Sequence, residues 1–399
     1  MTELLERERR IPIADSCDVF VAGGGIAGVS AALAAARNGA KVILTEKQCI
    51  LGGLATAGLV TIYLPLCDGV GRQVSFGLAE ELFRLSILHG AEERYPKAWL
   101  EGGTDEERKK DRFEVQFNAS LFAIEMEREL IKAGVKILYD TRICSVSLNE
   151  NAIDAVITEN KSGRCAYTVK SVVDASGDAD ICRFAGEETI NFAPGNILAA
   201  WSYGLKNGKI ALKQIGYAEI PDEDKRGDEP APLIERRFGG TDGEEISEML
   251  QSAHEQILND FKKERKEDKN YVPVTIPTMP QLRMTRRIKG MYTLGTNDAH
   301  KEFCDSVGMF SNWKKRGPVY ELPFAALHGG KIKNLICAGR CISAEDSMWD
   351  VTRVIPVCAV AGQAAGTAAA MSDDFNKIDT AALQRQLKAD GVKLHESEL

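Results

Sequence analysis

Between Asp18 and Glu46 the chain reads "DVFVAGGGIAGVSAALAAARNGAKVILTE". A short apolar run that ends in glycine predicts a buried parallel strand. The alanine-rich stretch after it predicts a helix, stopped at Asn38-Gly39. "KVILTE" predicts a second buried strand. Strand, glycine turn, helix and strand make a βαβ unit, and its glycines fall at Gly23, Gly25 and Gly28, spaced G-x-G-x-x-G. Gly23 permits the tight turn, Gly25 lets a pyrophosphate approach the backbone, and Gly28 lets the helix pack closely on the strand. Ile26 and Ala27 open the helix, whose free N–H groups and partial positive charge suit phosphates. Glu46 ends the second strand, where an acid accepts hydrogen bonds from an adenosine ribose. These features together predict a dinucleotide site.

A second glycine cluster follows in "KQCILGGLATAG", from Lys47 to Gly58. It resembles the segment after the acidic residue in FAD enzymes of the glutathione-reductase-like class. That resemblance implies that Gly52, Gly53, Leu54, Ala55 and Thr56 run along the extended cofactor toward the flavin, with Lys47 beside Glu46. The alternative is a glycine-rich turn with no ligand. No second G-x-G-x-x-G occurs, so a separate NAD(P)H domain is not indicated.

A chain of 399 residues predicts two domains. Its net charge of -8 argues against nucleic acid or an anionic membrane as the main partner. The N-terminus is polar and charged, unlike a secretory signal. Ten cysteines occur without a CxxC, which indicates neither a metal site nor a redox pair and fits a reducing cytoplasm. The run from Val354 to Ser372 is a poor membrane span and a good buried helix.

Further along, "FNASLFAIEMERELIKAGV" predicts an amphipathic helix with Asn118 as cap and Gly134 as stop. "KILYDTRICSVSL", "AIDAVITE" and "CAYTVKSVVDAS" predict strands of a β-meander and a return strand. "DASGD" resembles the motif at the end of that return strand in FAD enzymes. It places Ala175, Ser176 and Gly177 near the adenosine half, and Ile143 is counted with them. A generic strand end is the alternative. "KNLICAGR" predicts a strand closed by Gly339-Arg340. "VIPVCAVAGQAAGTAAAM" predicts a helix with Pro356 near its start. In FAD folds the small residues of such a helix let the flavin's pyrimidine edge press against its first turns, which nominates Gly362, Gln363, Ala364 and Ala365. A small-residue core helix touching no ligand is the alternative.

"AGGGIAGVSAALAAARNGAKVILTEK", "LGGLATAG", "PQLRMTRRIKGMY", "ELPFAAL" and "NLICAGRCISAEDSMWDVTRVIPVCAVAGQAAGTAAA" together resemble the FAD-dependent oxidoreductase family, distantly similar to fumarate reductase flavoproteins. The resemblance spans most of the chain. It implies an α/β protein: a Rossmann-like FAD-binding domain of parallel sheet, helices and β-meander, with an inserted α+β substrate or cap domain. The expected boundaries are 1–60, 113–187 and 319–399 for the FAD domain, and 61–112 and 188–318 for the cap. FAD is expected to be non-covalent. Where relatives often carry histidine after "GR-x-I-S-A", this chain has Glu345 and Asp346, so no histidine role is carried over there.

The expected activity is hydride transfer between flavin N5 and a small polar, carboxylate-bearing substrate, with an unidentified electron donor or acceptor. Arg283 and Arg287 share one face of an extended segment and are the expected carboxylate clamp, with Arg286 facing away. Arg340 and Arg353 are expected near flavin, phosphate or substrate, and Asp346 and Asp350 are proton-transfer candidates, with helix capping or salt bridging as the alternative. The competing reading is a flavin electron carrier or sensor without a substrate of its own. Oligomeric state is left open, homo-oligomer included.

Overall fold

The computed structural model describes residues 4–5, 8–217 and 231–399; most of the proline-rich charged run at 220–237 falls outside them. The strand Ile13–Ala22 lies inside a seven-stranded sheet. On one side it pairs in parallel with Val42–Thr45, which pairs in turn with Lys136–Leu138. On the other side it pairs in parallel with the twelve-residue strand Gly163–Asp174. The first half of that long strand pairs antiparallel with Ala152–Asn160, which continues the meander to Arg142–Asn149. Its last residues, Val172 to Asp174, carry Leu335–Cys337 in parallel. Val42–Thr45 is buried throughout, as its unbroken apolar character requires of a strand covered on both faces.

The sequence suggested one strand from Lys136 through Leu148, and the structure divides it. Asp140 adopts φ 46°, a left-handed conformation that Asp tolerates better than most residues. The chain turns there, leaving Lys136–Leu138 in the parallel sheet and Arg142–Asn149 in the meander. The helix Ala119–Lys132 begins where Asn118 accepts the Leu121 N–H at 3.0 Å.

Two apolar helices, Ile26–Arg37 and Ile355–Met371, pack against each other on this sheet. Small residues let their backbones meet. A Cβ on Gly362 would lie 2.3 Å from the Ala27 carbonyl oxygen, and one on Gly366 2.1 Å from that of Ala31. Ser30 Oγ donates to the Ala359 carbonyl at 2.6 Å. Ile355–Met371 is buried on every side over most of its length, which explains its apolar character all round. Among the described residues, no single helix is long and apolar enough to cross a membrane.

The remaining chain builds a smaller unit. A three-stranded sheet runs in the order Lys209–Lys213, Ser202–Lys206, Val272–Thr275. The helix Gly243–Glu267 is capped by Asp242, which accepts the Glu244 and Glu245 N–H groups. Leu198, Ala200, Phe238, Met249, Ile257 and Leu282 form a second, smaller core there. Ser306–Ser311 pairs with Val319–Pro323, so a boundary at residue 318 would cut through a hairpin.

Candidate active site

Both glycine clusters meet at one cavity. Gly23 turns the chain at φ 103°, and a side chain there would strike the Ala175 carbonyl at 2.6 Å. Gly28 has no room either: its Cβ would lie 1.8 Å from the Gly23 carbonyl oxygen. Gly25 differs, because a Cβ there would meet nothing within 4 Å. The second cluster docks on the first. The Gly52 N–H donates to the Gly24 carbonyl at 2.8 Å, and a Cβ on Gly53 would lie 3.3 Å from Gly25 Cα. Glu46 ties both together beneath the turn: it accepts the Gly24 N–H at 2.8 Å on one oxygen and the Gln48 N–H at 2.8 Å on the other.

The cavity encloses about 1280 Å³ of atom-free space, part of it open to solvent. Two helix N-termini reach it. Ile26 and Ala27 open one helix; Ile355 and Cys358 lie in the first turn of the other. No side chain caps either start, and neither first turn contains an acid. Uncapped N–H groups with a positive dipole end, aimed into a roomy cavity from two directions, fit an extended anionic cofactor. The profile of a family described as FAD dependent oxidoreductase matches residues 18–191 and 237–387, well over half the chain. The chain belongs to this family. It is a flavoprotein oxidoreductase, and its cofactor is FAD.

Solved structures with a similar course include a geranylgeranyl bacteriochlorophyll reductase-like protein from Thermoplasma acidophilum. It is 12% identical, with 94% of this chain and 82% of that chain covered and a TM-score of 0.47. Glycine oxidase from Bacillus cereus is 15% identical over 92% of this chain and 97% of that one, with a TM-score of 0.41. A flavocytochrome c3 fumarate reductase is 14% identical over 90% and 78%, with a TM-score of 0.42. These TM-scores are too low to add to the assignment, which rests on the family match. No curated protein matches the sequence significantly.

The cavity of this FAD dependent oxidoreductase gathers residues from six stretches of the sequence: 22–27, 45–55, 141–143, 175–181, 279 and 338–358. Gly23, Gly25, Ile26, Ala27, Glu46 and Lys47 line it with Gly52, Gly53, Leu54 and Ala55. Ile143, Ala175, Ser176 and Gly177 join from the meander and return strand, and Gly339, Arg340 and Arg353 from the C-terminal part. Asp178, Asp180, Met279 and Cys358 also line it and were not foreseen. The acids stand in "DASGDAD", where the run of three aspartates was a usable signal. Met279 had none.

Other expected residues lie elsewhere. Gly28 serves packing. Thr56 donates its hydroxyl to the Leu51 carbonyl. Gly362, Gln363, Ala364 and Ala365 are outside the lining. The smallness of Gly362 is explained by the neighbouring helix, and Gln363 accepts the Leu78 N–H at 2.7 Å. Only the first turn of their helix reaches the cavity. Asp346 is exposed at the start of the helix Asp346–Thr352.

The arginines separate by partner. Arg353 binds Asp350 through Nε at 2.8 Å, and Lys314 also contacts that carboxylate. Burial pushes the Asp350 carboxyl up, but the Arg353 and Lys314 charges outweigh it and hold the group below the usual carboxylate range. Arg340 reaches Asp178 at 3.1 Å and the Leu282 carbonyl. Arg286 pairs with Asp180 at 2.6 Å, so it faces the cofactor cavity wall. Arg283 and Arg287 are not among the residues that line the cavity, and neither has a carboxylate partner among the described residues. They take different aromatic partners: Arg283 lies over the Trp201 ring at 5.3 Å, and Arg287 over Trp349 at 5.6 Å. Arg283 feels Arg353, Asp350 and Arg340, whereas Arg287 feels Asp346 and Glu345.

Proposed function

We propose that this oxidoreductase exchanges hydride with a small polar substrate carrying a carboxylate, and that Arg283 anchors the carboxylate. Bound FAD supplies the two-electron acceptor or donor. One observation carries the reading. Arg283 is 7% exposed, lies over the Trp201 ring and, among the described residues, makes a single side-chain hydrogen bond, to Gln281 Oε1 at 2.7 Å. Its buried Nε has no partner. Burial, with the Arg353 and Arg340 charges, pushes the guanidinium down to about 9, although Asp350 opposes this. It remains cationic at neutral pH, and a buried charge with no directly paired carboxylate is costly until an anion meets it. The chain's own groups would hold FAD as the cavity suggests: the turn at Gly25 and the start of the helix Ile26–Arg37 at the diphosphate, Glu46 at the ribose, and the helix from Ile355 at the flavin end. Gln281 orients Arg283, while its own amide donates to the Gly58 carbonyl at 2.7 Å, beyond the second glycine cluster.

Anaerobic flavin bleaching against a panel of small carboxylates tests the proposal. Arg283→Ala should lose about 1.5–3 kcal/mol of substrate handling, roughly ten- to hundredfold in kcat/KM, with flavin content unchanged. Bleaching of the variant at the wild-type rate and affinity would remove Arg283 from the substrate site.

A further inference from the structure

We propose that Thr285 and Arg286 are positioning residues that fasten the segment bearing Arg283 to the wall of the cofactor cavity, coupling FAD binding to the substrate anchor. This rests on the reading of Arg283 given above. Thr285 Oγ1 donates to Asp178 Oδ1 at 2.6 Å. Arg286 donates through Nε to the Asp178 carbonyl at 2.8 Å and through Nη2 to Asp180 Oδ1 at 2.6 Å. Arg340 completes the fastening by donating to both the Leu282 carbonyl and Asp178. Asp178, Asp180 and Arg340 all line the cavity.

The start of the segment is held separately, by Asn196. Asn196 Oδ1 accepts the N–H groups of Arg283 and Met284 at 2.9 and 3.0 Å, and its amide donates to the Met284 carbonyl at 2.6 Å. Arg283 therefore sits on a short backbone strut gripped by Asn196 at its root and by the cavity wall two and three residues on. The wall is under tension where it is gripped. Ala179, between the two aspartates, is fully buried at φ 50°, a conformation that non-glycine residues hold only when their surroundings impose it. A cofactor that orders the turn Ser176–Asp180 orders the strut with it.

The fastening is sensitive to protonation. Burial, with Asp178 and Asp174 nearby, raises the Asp180 carboxyl to about 6, against the pull of Arg286 and Lys47. The ion pair is complete above that pH and lost as pH falls through it.

Hydrogen exchange at the Arg283 and Met284 amides, with and without saturating FAD, tests the coupling without any substrate. In wild type, FAD should slow exchange about tenfold at pH 7. Arg286→Ala should markedly reduce the FAD-dependent difference while still filling with FAD at high concentration, and Arg286→Lys should restore part of it. The difference should shrink below pH 6 in wild type, whereas in Asp180→Asn it should be smaller and independent of pH across that range. An undiminished FAD effect in Arg286→Ala overturns the coupling. Malonate titration of the holoenzyme separates the two proposals. Malonate binding lost in Arg283→Ala supports the anchor, and malonate binding indifferent to Arg283 refutes the anchor while leaving the exchange result to judge the strut.

Discussion

Gly25 and Gly28 lie in one motif but answer to different physics, and alanine at each position should expose the difference. At Gly28 the new methyl would be placed 1.8 Å from a backbone carbonyl oxygen, which no side-chain rotation relieves. Either the strand end or the helix must move by more than an ångström, at or above the upper end of the ~1–3 kcal/mol typical of overpacking. For a chain of 399 residues unfolding as one unit, 3 kcal/mol corresponds to a fall of roughly 4 °C in Tm. At Gly25 the methyl meets no protein atom within 4 Å, and φ is -66°, so alanine is conformationally at ease. The apoprotein should melt within about 1 °C of wild type, since Gly-to-Ala effects at compatible sites are under ~1 kcal/mol. FAD affinity should fall sharply there, because the methyl projects into the cavity where the diphosphate must meet backbone N–H groups. Losing two charge-assisted hydrogen bonds costs about 3 kcal/mol or more, at least ~100-fold in Kd. Thermal melts of both apoproteins and FAD titration by flavin fluorescence quenching measure the two quantities. Gly25→Ala with wild-type FAD affinity, or with a melting loss equal to that of Gly28→Ala, refutes the division of roles.

Asp350→Asn leaves Arg353 and Lys314 without their shared carboxylate and should destabilise the protein by about 3–5 kcal/mol, read from denaturant midpoints. Because the Asp350 carboxyl is held below its ordinary 3.8, its stabilisation is present above that pH and lost on further acidification; acid titration of wild type against the variant should converge below it. Among the cysteines, Cys49 and Cys304 are exposed, whereas burial raises Cys182 to about 12 and holds Cys337 well above the ordinary thiol range. A thiol reagent should label the first two rapidly in the native protein and leave Cys182 and Cys337 untouched until denaturant is added; rapid labelling of either buried residue contradicts this packing.

The opening βαβ unit was legible because three constraints coincide within it: periodicity, glycine spacing and a terminal acid. The structure adds why the spacing holds, in the contact each missing Cβ would make. The C-terminal helix was legible as a helix, but its small residues had two readings. Sequence alone does not say whether Gly362 clears room for a cofactor or for the Ala27 carbonyl, because both demand the same smallness. Arg286 shows the limit most clearly. Alternation along an extended segment places it opposite Arg283 and Arg287, and it does take different partners. That the opposite side is the wall of the cofactor cavity depends on where residues 178–180 lie, and no local pattern carries a separation of a hundred residues. The break at Asp140 was missed because a single left-handed aspartate leaves no composition signal.

The contact between the helices Ile26–Arg37 and Ile355–Met371 also bears on biosynthesis. Ser30 and Ala359, bonded to each other in the finished protein, are 329 residues apart. At typical translation rates the first helix waits roughly 15–65 s for its partner. During that interval the carbonyls of Ala27 and Ala31 and the apolar flank around them face solvent or a chaperone. Such long-range closure is slow and exposes the nascent sheet to mispairing. It also means that the cofactor cavity, which takes part of its wall from Ile355 and Cys358, cannot be complete before the second helix has been synthesised. Flavin colour is therefore a proofreading mark: a product cut short ahead of the second helix stays colourless however well its opening motif has folded.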